Sequence, residues 1–333
     1  MSKKKTTLAR SVPATSLAEN LTATVLATHG RNFMVELNTP VVDTAARWQC
    51  VTRNRRNDIA VGDIVTVQAT GEAQGVIESV EPRRSLLYRS DAFKSKLFAA
   101  NVTQVWVVVA TEPHFAPELI QRAVLAAQAA QIACTVLLNK VDLTDCLAGA
   151  RHLLAAQGLA ELGVPIIEVS AKNEAATRAM LLPRLTGQST LLMGQSGMGK
   201  SSLLNVLIPD ASARTQAISA ALNSGKHTTT FTQLYRLQAE TSEDTSPTYL
   251  VDSPGFQAFG LAHLGEEALL HAFSEFHPHI PQCRFYNCAH QDEPACGVRA
   301  AVEAGQINSH RYELYKQILQ EHHYAIGQRR GWA

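Results

Sequence analysis

The stretch LLMGQSGMGKSSLLNVL, residues 191–207, decides the fold. An apolar run stops at a glycine-rich turn, and an apolar pattern of helical period resumes beyond it. Within the turn, Gly194, Gln195, Ser196, Gly197, Met198, Gly199, Lys200 and Ser201 match GxxxxGK[ST], a phosphate-binding loop, and Ser202 continues it into the helix. The glycines let the backbone curl so that successive N–H groups point at phosphate oxygens. The amino end of the following helix adds a partial positive charge. In such a loop Lys200 reaches the β and γ phosphates and the Ser201 hydroxyl ligates magnesium.

Working outward, VDSPG at 251–255 closes the next clear apolar strand. Asp252 there is placed to hold magnesium through water, and the Gly255 N–H to meet the γ-phosphate. Upstream, LLNKVDL at 137–143 contains Asn139, Lys140, Val141 and Asp142, the NKxD pattern that reads a base. A carboxylate offers only acceptors, and two parallel oxygens suit the N1–H and N2–H₂ edge of guanine. Adenine would leave Asp142 unpaired, a mismatch worth discrimination on the order of 10⁴. Asn139 is expected to tie this loop to the phosphate loop, and the Lys140 stem to cover one face of the base. VSAKN supplies Ser170, Ala171 and Lys172, where a backbone N–H can meet guanine O6. The nucleotide is GTP.

The order is unusual. In most proteins with these motifs the phosphate loop comes first, yet here Asn139 precedes Gly194 by 55 positions (194 − 139). Two motifs at strand ends, Asn139 and Ser170, lie 31 positions apart (170 − 139) and are not accidental together. The domain therefore reads as a circular permutation: NKVD, SAK, phosphate loop, threonine-rich segment, DSPG.

Continuous apolar runs alternate with helical stretches from about 98 to 260: QVWVVVAT, CTVLLNK, VPIIEVSA, STLLMG and TYLVDSPG are the strands. PELIQRAVLAAQAAQ and EAATRAMLLPRL lie between them as helices. This predicts a multidomain α/β chain whose central domain is a doubly wound, mainly parallel sheet. In front of it, TATVLATHG, NFMVELN, RWQCVT, DIVTVQAT and QGVIESV predict a small β-barrel of the OB type. The basic loop VTRNRRND (Arg53, Arg55, Arg56) lies between two of its strands. Behind it, CRFYNCAHQDEPAC reads C-x4-C-x-H-x5-C, so Cys283, Cys288, His290 and Cys296 make a closed tetrahedral set for one structural zinc. That segment is too short for its own core, so the metal is expected to supply much of its folding free energy. Two helices flank it, EEALLHAFSEF and SHRYELYKQILQEHHYAI. His322, His323, Tyr324, Arg329 and Arg330 near the end read equally as an RNA contact or a solvated tail.

The chain has 333 residues, 46% hydrophobic, with a net charge of +1. This excludes a single small core and gives no global sign of nucleic-acid binding, so any such surface is a local patch. No apolar run approaches the 18 or so residues that span a bilayer. Cys50, Cys134 and Cys146 are isolated and read as small buried thiols. The division expected is a disordered basic tail at 1–19, a barrel at 20–88, a permuted GTPase domain at 89–262 and a helical zinc-binding domain at 263–333.

Barrel, inverted motif order and Cys/His cluster together resemble the ribosome-small-subunit-dependent GTPase A family (RsgA, also called YjeQ) over about residues 20–325. The amino end lacks the apolar segment of a secretory signal, so a cytoplasmic protein is expected, and a monomer. The resemblance implies a GTPase that acts in late maturation of the 30S subunit. It would bind 16S rRNA, with the subunit stimulating hydrolysis and the nucleotide state timing release. A GTP-regulated RNA-binding module with negligible turnover is the alternative; a small-molecule kinase would leave NKVD and SAK without a role. Between the phosphate loop and DSPG lies ALNSGKHTTTFTQL, a switch loop. One of Thr228, Thr229 and Thr230 would give magnesium a hydroxyl when GTP is bound, and Thr229 is the expected one. Phe256 stands just after DSPG, where related enzymes place a water-orienting glutamine, and Gln257 is one place too far. Slow intrinsic hydrolysis follows, with His227, on position and resemblance, as the water-positioning or catalytic base beside Lys200 and Thr229. Because the chain leaves the domain soon after DSPG, the γ-phosphate-sensing loop is tethered to the metal-binding segment, which could convert nucleotide state into inter-domain motion.

Overall fold

The computed structural model describes residues 20–39, 45–54, 58–90, 95–209, 211, 232–237, 246–255 and 259–330. The expected tail at 1–19, Arg55, Arg56, the switch residues His227 to Thr230, Phe256 and Gln257 lie outside the described residues.

Five strands form the amino-terminal unit: β1 (Asn20–His29), β2 (Asn32–Leu37), β3 (Arg47–Thr52), β4 (Ile64–Gly71) and β5 (Gln74–Val80). Antiparallel β1–β2, β2–β3 and β4–β5 pairs, a parallel β3–β5 pair and a closing β1–β4 pair give the order 1-2-3-5-4-1. A closed barrel of this kind has no free edge. Alternate residues point inward, and Val25, Phe33, Val35, Trp48, Val65 and Ile77 fill it as a core of its own. Gly75 is required by space: a Cβ there would stand 2.5 Å from Val67 Cγ1. Arg53 is not a free cation, because its guanidinium donates to Glu78 at 2.6 Å and Gln68 at 2.8 Å.

An antiparallel ribbon, β6 (Leu86–Ser90) with β7 (Ser95–Ala100), leads out of the barrel; the sequence reading had no strand there. The central domain follows as β8 (Gln104–Ala110), α1 (Pro117–Ala129), β9 (Ala133–Asn139), α2 (Thr144–Ala155), β10 (Ile166–Glu168) and α3 (Glu174–Leu185). It continues with β11 (Ser189–Met193), α4 (Lys200–Leu207), β12 (Gln233–Leu237) and β13 (Thr248–Asp252). The strand order is β10-β9-β8-β11-β13-β12, parallel except for β12, which runs antiparallel to β13. The chain winds outward from β8 through β9 and β10, then returns to the other side of β8 at β11. That reversal puts the switch point between β8 and β11, where open α/β sheets bind ligands. Only residues 186–188 separate α3 from β11, and they include Gly187 at φ +69°. These three residues are the join of the permutation: an unpermuted chain would begin at β11 and end after α3. A single pairing, Ala27 with Gln233, links β1 to β12 and so joins barrel and central sheet.

The carboxyl-terminal part comprises α5 (Glu266–Ala272), 3-10 turns at Ser274–Phe276 and Ile280–Gln282, α6 (Gly297–Glu303) and α7 (Ser309–Arg330). The EEALLHAFSEF helix ends early, at Ala272, because Phe273 and Phe276 both turn into the interior. Tyr312, Tyr315, Ile318 and Leu319 of α7 join them, and the whole is continuous with the core of the central domain. This end thus has no separate core and borrows that of the central domain. Of its last residues, His322 and His323 have partners in the fold, while His323 and Tyr324 stay exposed. His322 Nδ1 meets the Ala262 carbonyl at 2.9 Å, and His323 Nε2 meets Glu266 at 2.6 Å. Among the described residues no helix is long and apolar enough to cross a membrane.

Candidate functional site

The phosphate loop leaves β11 at Gly194, whose φ is +151°, and a Cβ there would lie 2.3 Å from the Val108 carbonyl oxygen of β8. Gly197 (φ +85°) and Gly199 (φ +86°) adopt left-handed backbone open to glycine, and Gly199 caps α4. Lys200 folds back over the loop, its Nζ donating to the Gly194 and Gln195 carbonyls at 2.8 Å each. Burial holds its pKa below the ordinary lysine value, with the nearby Asp252 opposing that shift.

The base-reading loop lies directly against this one, despite the separation in sequence. Asn139 is the bridge: its Nδ2 donates to the Met198 carbonyl at 3.0 Å, and its Oδ1 accepts the Ala171 N–H at 3.2 Å. One buried amide thus ties NKVD to the phosphate loop and, beyond what the sequence suggested, to SAK. Lys140, at φ +62°, stretches its Nζ to the Glu112 and Gly197 carbonyls at 2.8 and 2.9 Å, so its stem spans the two loops. Val141 follows it and donates its N–H to the Val169 carbonyl at 3.3 Å, holding the NKVD loop against β10's end. Asp142 accepts from Ser170 Oγ at 2.6 Å and pairs with Lys172 Nζ at 2.9 Å. The Ser170 bond first, then Lys172, hold its carboxyl below the usual carboxylate range. The Ala171 N–H is committed to Asn139, and the Lys172 N–H lies 3.3 Å from Ser170 Oγ, so hydrogen bonds hold both SAK amides in place.

DSPG arrives from β13, in parallel register with β11: Asp252 stands beside Leu192. Ser253 Oγ donates to the Leu192 carbonyl at 2.7 Å and pins the turn. A Cβ on Gly255 would be 3.0 Å from Ser196 N and 3.3 Å from Lys200 Nζ, so the two loops touch. Between them lies a cavity of about 340 Å³ whose wall includes Lys140, Gly197, Lys200, Ser201, Asp252 and Gly255; Ser202 also reaches it. Asp252 is 3% exposed, and burial pushes its carboxyl up to about 6 against the pull of Lys200. Its Oδ1 is buried with no hydrogen-bond partner among the described residues. A carboxylate oxygen left over in this way, beside the Ser201 hydroxyl, suits a hard divalent cation such as magnesium.

Sequence reasoning missed the supports contributed by Thr111, Glu112 and Ala116. Thr111 Oγ1 donates to the Lys140 carbonyl at 2.8 Å, Glu112 accepts from Lys140, and the Ala116 N–H reaches the Gln195 side chain at 2.8 Å. Their only signal was place, at the carboxyl end of an apolar strand. Gly199→Ala is expected to cost GTP affinity on the order of 100-fold or more. The new Cβ would stand 2.3 Å from Asn139 Nδ2 on left-handed backbone, driving the two loops apart. Calorimetric titration checks this, and near-normal affinity would show the interlock to be dispensable.

At the carboxyl end the ligand atoms of Cys283, Cys288, His290 and Cys296 lie within 4.8 Å of one another. Cys283 Sγ is 3.9 Å from Cys296 Sγ, and both are 3.5 Å from His290 Nδ1. A tetrahedral zinc would have edges of about 3.8 Å between sulfurs and about 3.6 Å from sulfur to nitrogen. The set fits and leaves no open position, so it can hold a metal structurally. Second contacts fix it: Tyr312 Oη donates to the His290 carbonyl at 2.8 Å, Tyr315 Oη to the Ala289 carbonyl at 3.0 Å, and Glu293 accepts the Ala289 and Gln291 N–H groups.

Comparison with known proteins agrees with this geometry. A family model described as RsgA GTPase matches residues 80–262. "Small ribosomal subunit biogenesis GTPase RsgA" of Paraburkholderia phytofirmans is 51% identical over 298 residues, 89% of this chain and 92% of that protein. The protein of the same name from Bordetella pertussis is 51% identical over 297 residues, 89% of this chain and 95% of its own. Among solved structures, YjeQ from Thermotoga maritima superposes with a TM-score of 0.65 at 32% identity, covering 91% of this chain and 99% of that one. YloQ, described as a circularly permuted GTPase, shares the fold with a TM-score of 0.61 at 24% identity, covering 92% and 96%. The circularly permuted fold expected from the motif order is the one these structures share, and this chain belongs to the RsgA GTPase family.

Proposed function

We propose that the chain hydrolyses GTP to GDP and phosphate in late maturation of the 30S ribosomal subunit, that it binds 16S rRNA, and that the subunit stimulates turnover so that nucleotide state times release. The observation that carries the nucleotide half is the Asn139 amide, bonded at once to Met198 of the phosphate loop and Ala171 of SAK. It supports one ligand read at the guanine end by Asp142 and at the phosphate end by Lys200. The backbone of Gly194 to Ser202 cradles the phosphates, Lys200 spreads the charge of the β and γ groups, and the Gly255 N–H senses the last of them. Ser201, Thr229 and, through water, Asp252 would hold magnesium, which neutralises charge developing on the phosphates. His227 positions or deprotonates the attacking water, since Phe256 cannot. The Cys/His set holds one zinc, a choice supported by three thiolates and an imidazole with no open position. The working division is a tail at 1–19, a barrel at 20–88 and a zinc-binding unit at 263–333, the outer two gripping RNA around the GTPase domain at 89–262. The protein acts as a cytoplasmic monomer.

A multiple-turnover GTP assay with and without 30S subunits tests the proposal. Turnover is expected to rise by at least about tenfold with subunits, and His227→Ala to lose that rise while keeping nucleotide affinity. Binding without turnover under both conditions would instead support a regulatory RNA-binding module.

A further inference from the structure

Beyond DSPG, the described residues 259–262 are fastened on three sides. Phe259, four residues beyond Gly255, stacks on Phe98 of β7 with ring centroids 5.4 Å apart. Ser90 of β6 donates to the Gly260 carbonyl at 3.0 Å and accepts the Ala262 N–H at 3.1 Å. The Phe259 carbonyl itself accepts from Arg122 Nη1 of α1 at 3.3 Å. That arginine side chain is only 7% exposed, and its orientation is set from elsewhere. Glu321 of α7 takes it in a fork, Oε2 to Nη1 at 3.0 Å and Oε1 to Nη2 at 2.6 Å, while Glu118 one turn back on α1 holds Nε at 2.9 Å.

We infer that Arg122 is a positioning residue for the DSPG loop, and that Glu321 is the handle by which the carboxyl-terminal helix sets it. A two-pronged carboxylate fixes the plane of a guanidinium as well as its place. Nη1 serves Glu321 and Phe259 together, so the direction in which it offers its second N–H depends on the fork. Four residues reach at most about 14 Å, so a fixed Phe259 confines Gly255. Gly255 lies against Ser196 and Lys200, the end of the cavity that takes the third phosphate in the reading proposed above. The helix is seated independently: Arg311 of α7, 1% exposed on its side chain, reaches Gln121 and Gln128 of α1 at 3.2 and 3.1 Å and Glu275 at 2.7 Å. Loss of the Glu321 fork thus loosens the clasp without undocking α7. Force on α7 from a bound partner reaches the γ-phosphate loop by this route, and coupling of this kind is reciprocal.

The clasp rests on the nucleotide reading, and its test separates the two. In the full-length, metal-loaded chain, Glu321→Gln keeps shape and half-exposed position but removes the charge. Affinity for a non-hydrolysable GTP analogue is expected to fall about three- to tenfold, while GDP, which lacks the phosphate that the Gly255 N–H would meet, stays within about twofold. Arg122→Lys, unable to fork, should give the same selective loss, and the double variant no more than either alone. Equal weakening of both nucleotides, additive losses or no change would overturn the clasp. A wild-type chain that binds neither nucleotide would overturn the nucleotide reading and the clasp with it.

Discussion

An Asp142→Asn chain is expected to bind GTP on the order of 10³-fold more weakly and to take up xanthosine triphosphate instead. Guanine presents two donors side by side, N1–H and N2–H₂. The carboxylate meets both; the carboxamide meets one and sets its own NH₂ against the other. Xanthine carries a carbonyl where guanine has the amino group, so the asparagine amide matches it donor to acceptor. The fold gives the substitution little reason to act in any other way. Ser170 Oγ, 2.6 Å from Oδ1, can still donate to the amide oxygen. The ion pair that is lost joins Lys172, whose side chain is 79% exposed, and such pairs contribute little to stability. Titration with GTP, ATP and xanthosine triphosphate reads the outcome directly. Unchanged GTP affinity would remove Asp142 from base recognition, and with it the guanine assignment.

The nucleotide loops were legible because their chemistry is local: each motif carries its own strand end, its own glycines and its own polar atoms. Even the bridge by Asn139 was legible, since a base-reading loop must meet a phosphate loop to hold one ligand. The barrel strands were marked by turn residues, although nothing in β3 or β5 announced their parallel pairing. β12 (QLYRL) and the β6–β7 ribbon escaped because they are five or six residues long and mix charge with apolar groups. Least legible was α7. Its polar end was left open between an RNA contact and a solvated tail, and only the fold shows that Glu321, His322 and His323 meet Arg122, Ala262 and Glu266. A buried arginine some 199 positions from its carboxylate leaves no periodic trace in sequence. Partners of that kind are set by tertiary packing, the link that pattern reading does not reach.

Metal removal should show how deep that integration goes. Cys296→Ser, or a chelator that takes zinc in preference to magnesium, is expected to destabilise the carboxyl-terminal unit by about 5 kcal/mol or more. Cys296 is 5% exposed and lies 3.5 Å from His290 Nδ1, so a serine there breaks the set without reaching solvent. The loss would not stay at the metal. Tyr312 and Tyr315 hold the His290 and Ala289 carbonyls, and their rings pack with Phe276 and Phe273 in the core shared with the central domain. Tyrosine absorbance and hydrogen exchange across 280–303 should therefore change together, with the apparent melting temperature of that transition falling by roughly 10 °C or more. GDP affinity should survive, because Asn139, Lys200 and their partners are all carried by strands of the central sheet and the loops that follow them. Discrimination in favour of the GTP analogue should fall, because α7 loses part of the platform that seats Glu321. A verified metal-free chain that melts and exchanges like the loaded one would show that the borrowed core suffices and the metal is not structural. Loss of GDP binding along with the metal would show instead that the central domain cannot stand without its neighbour.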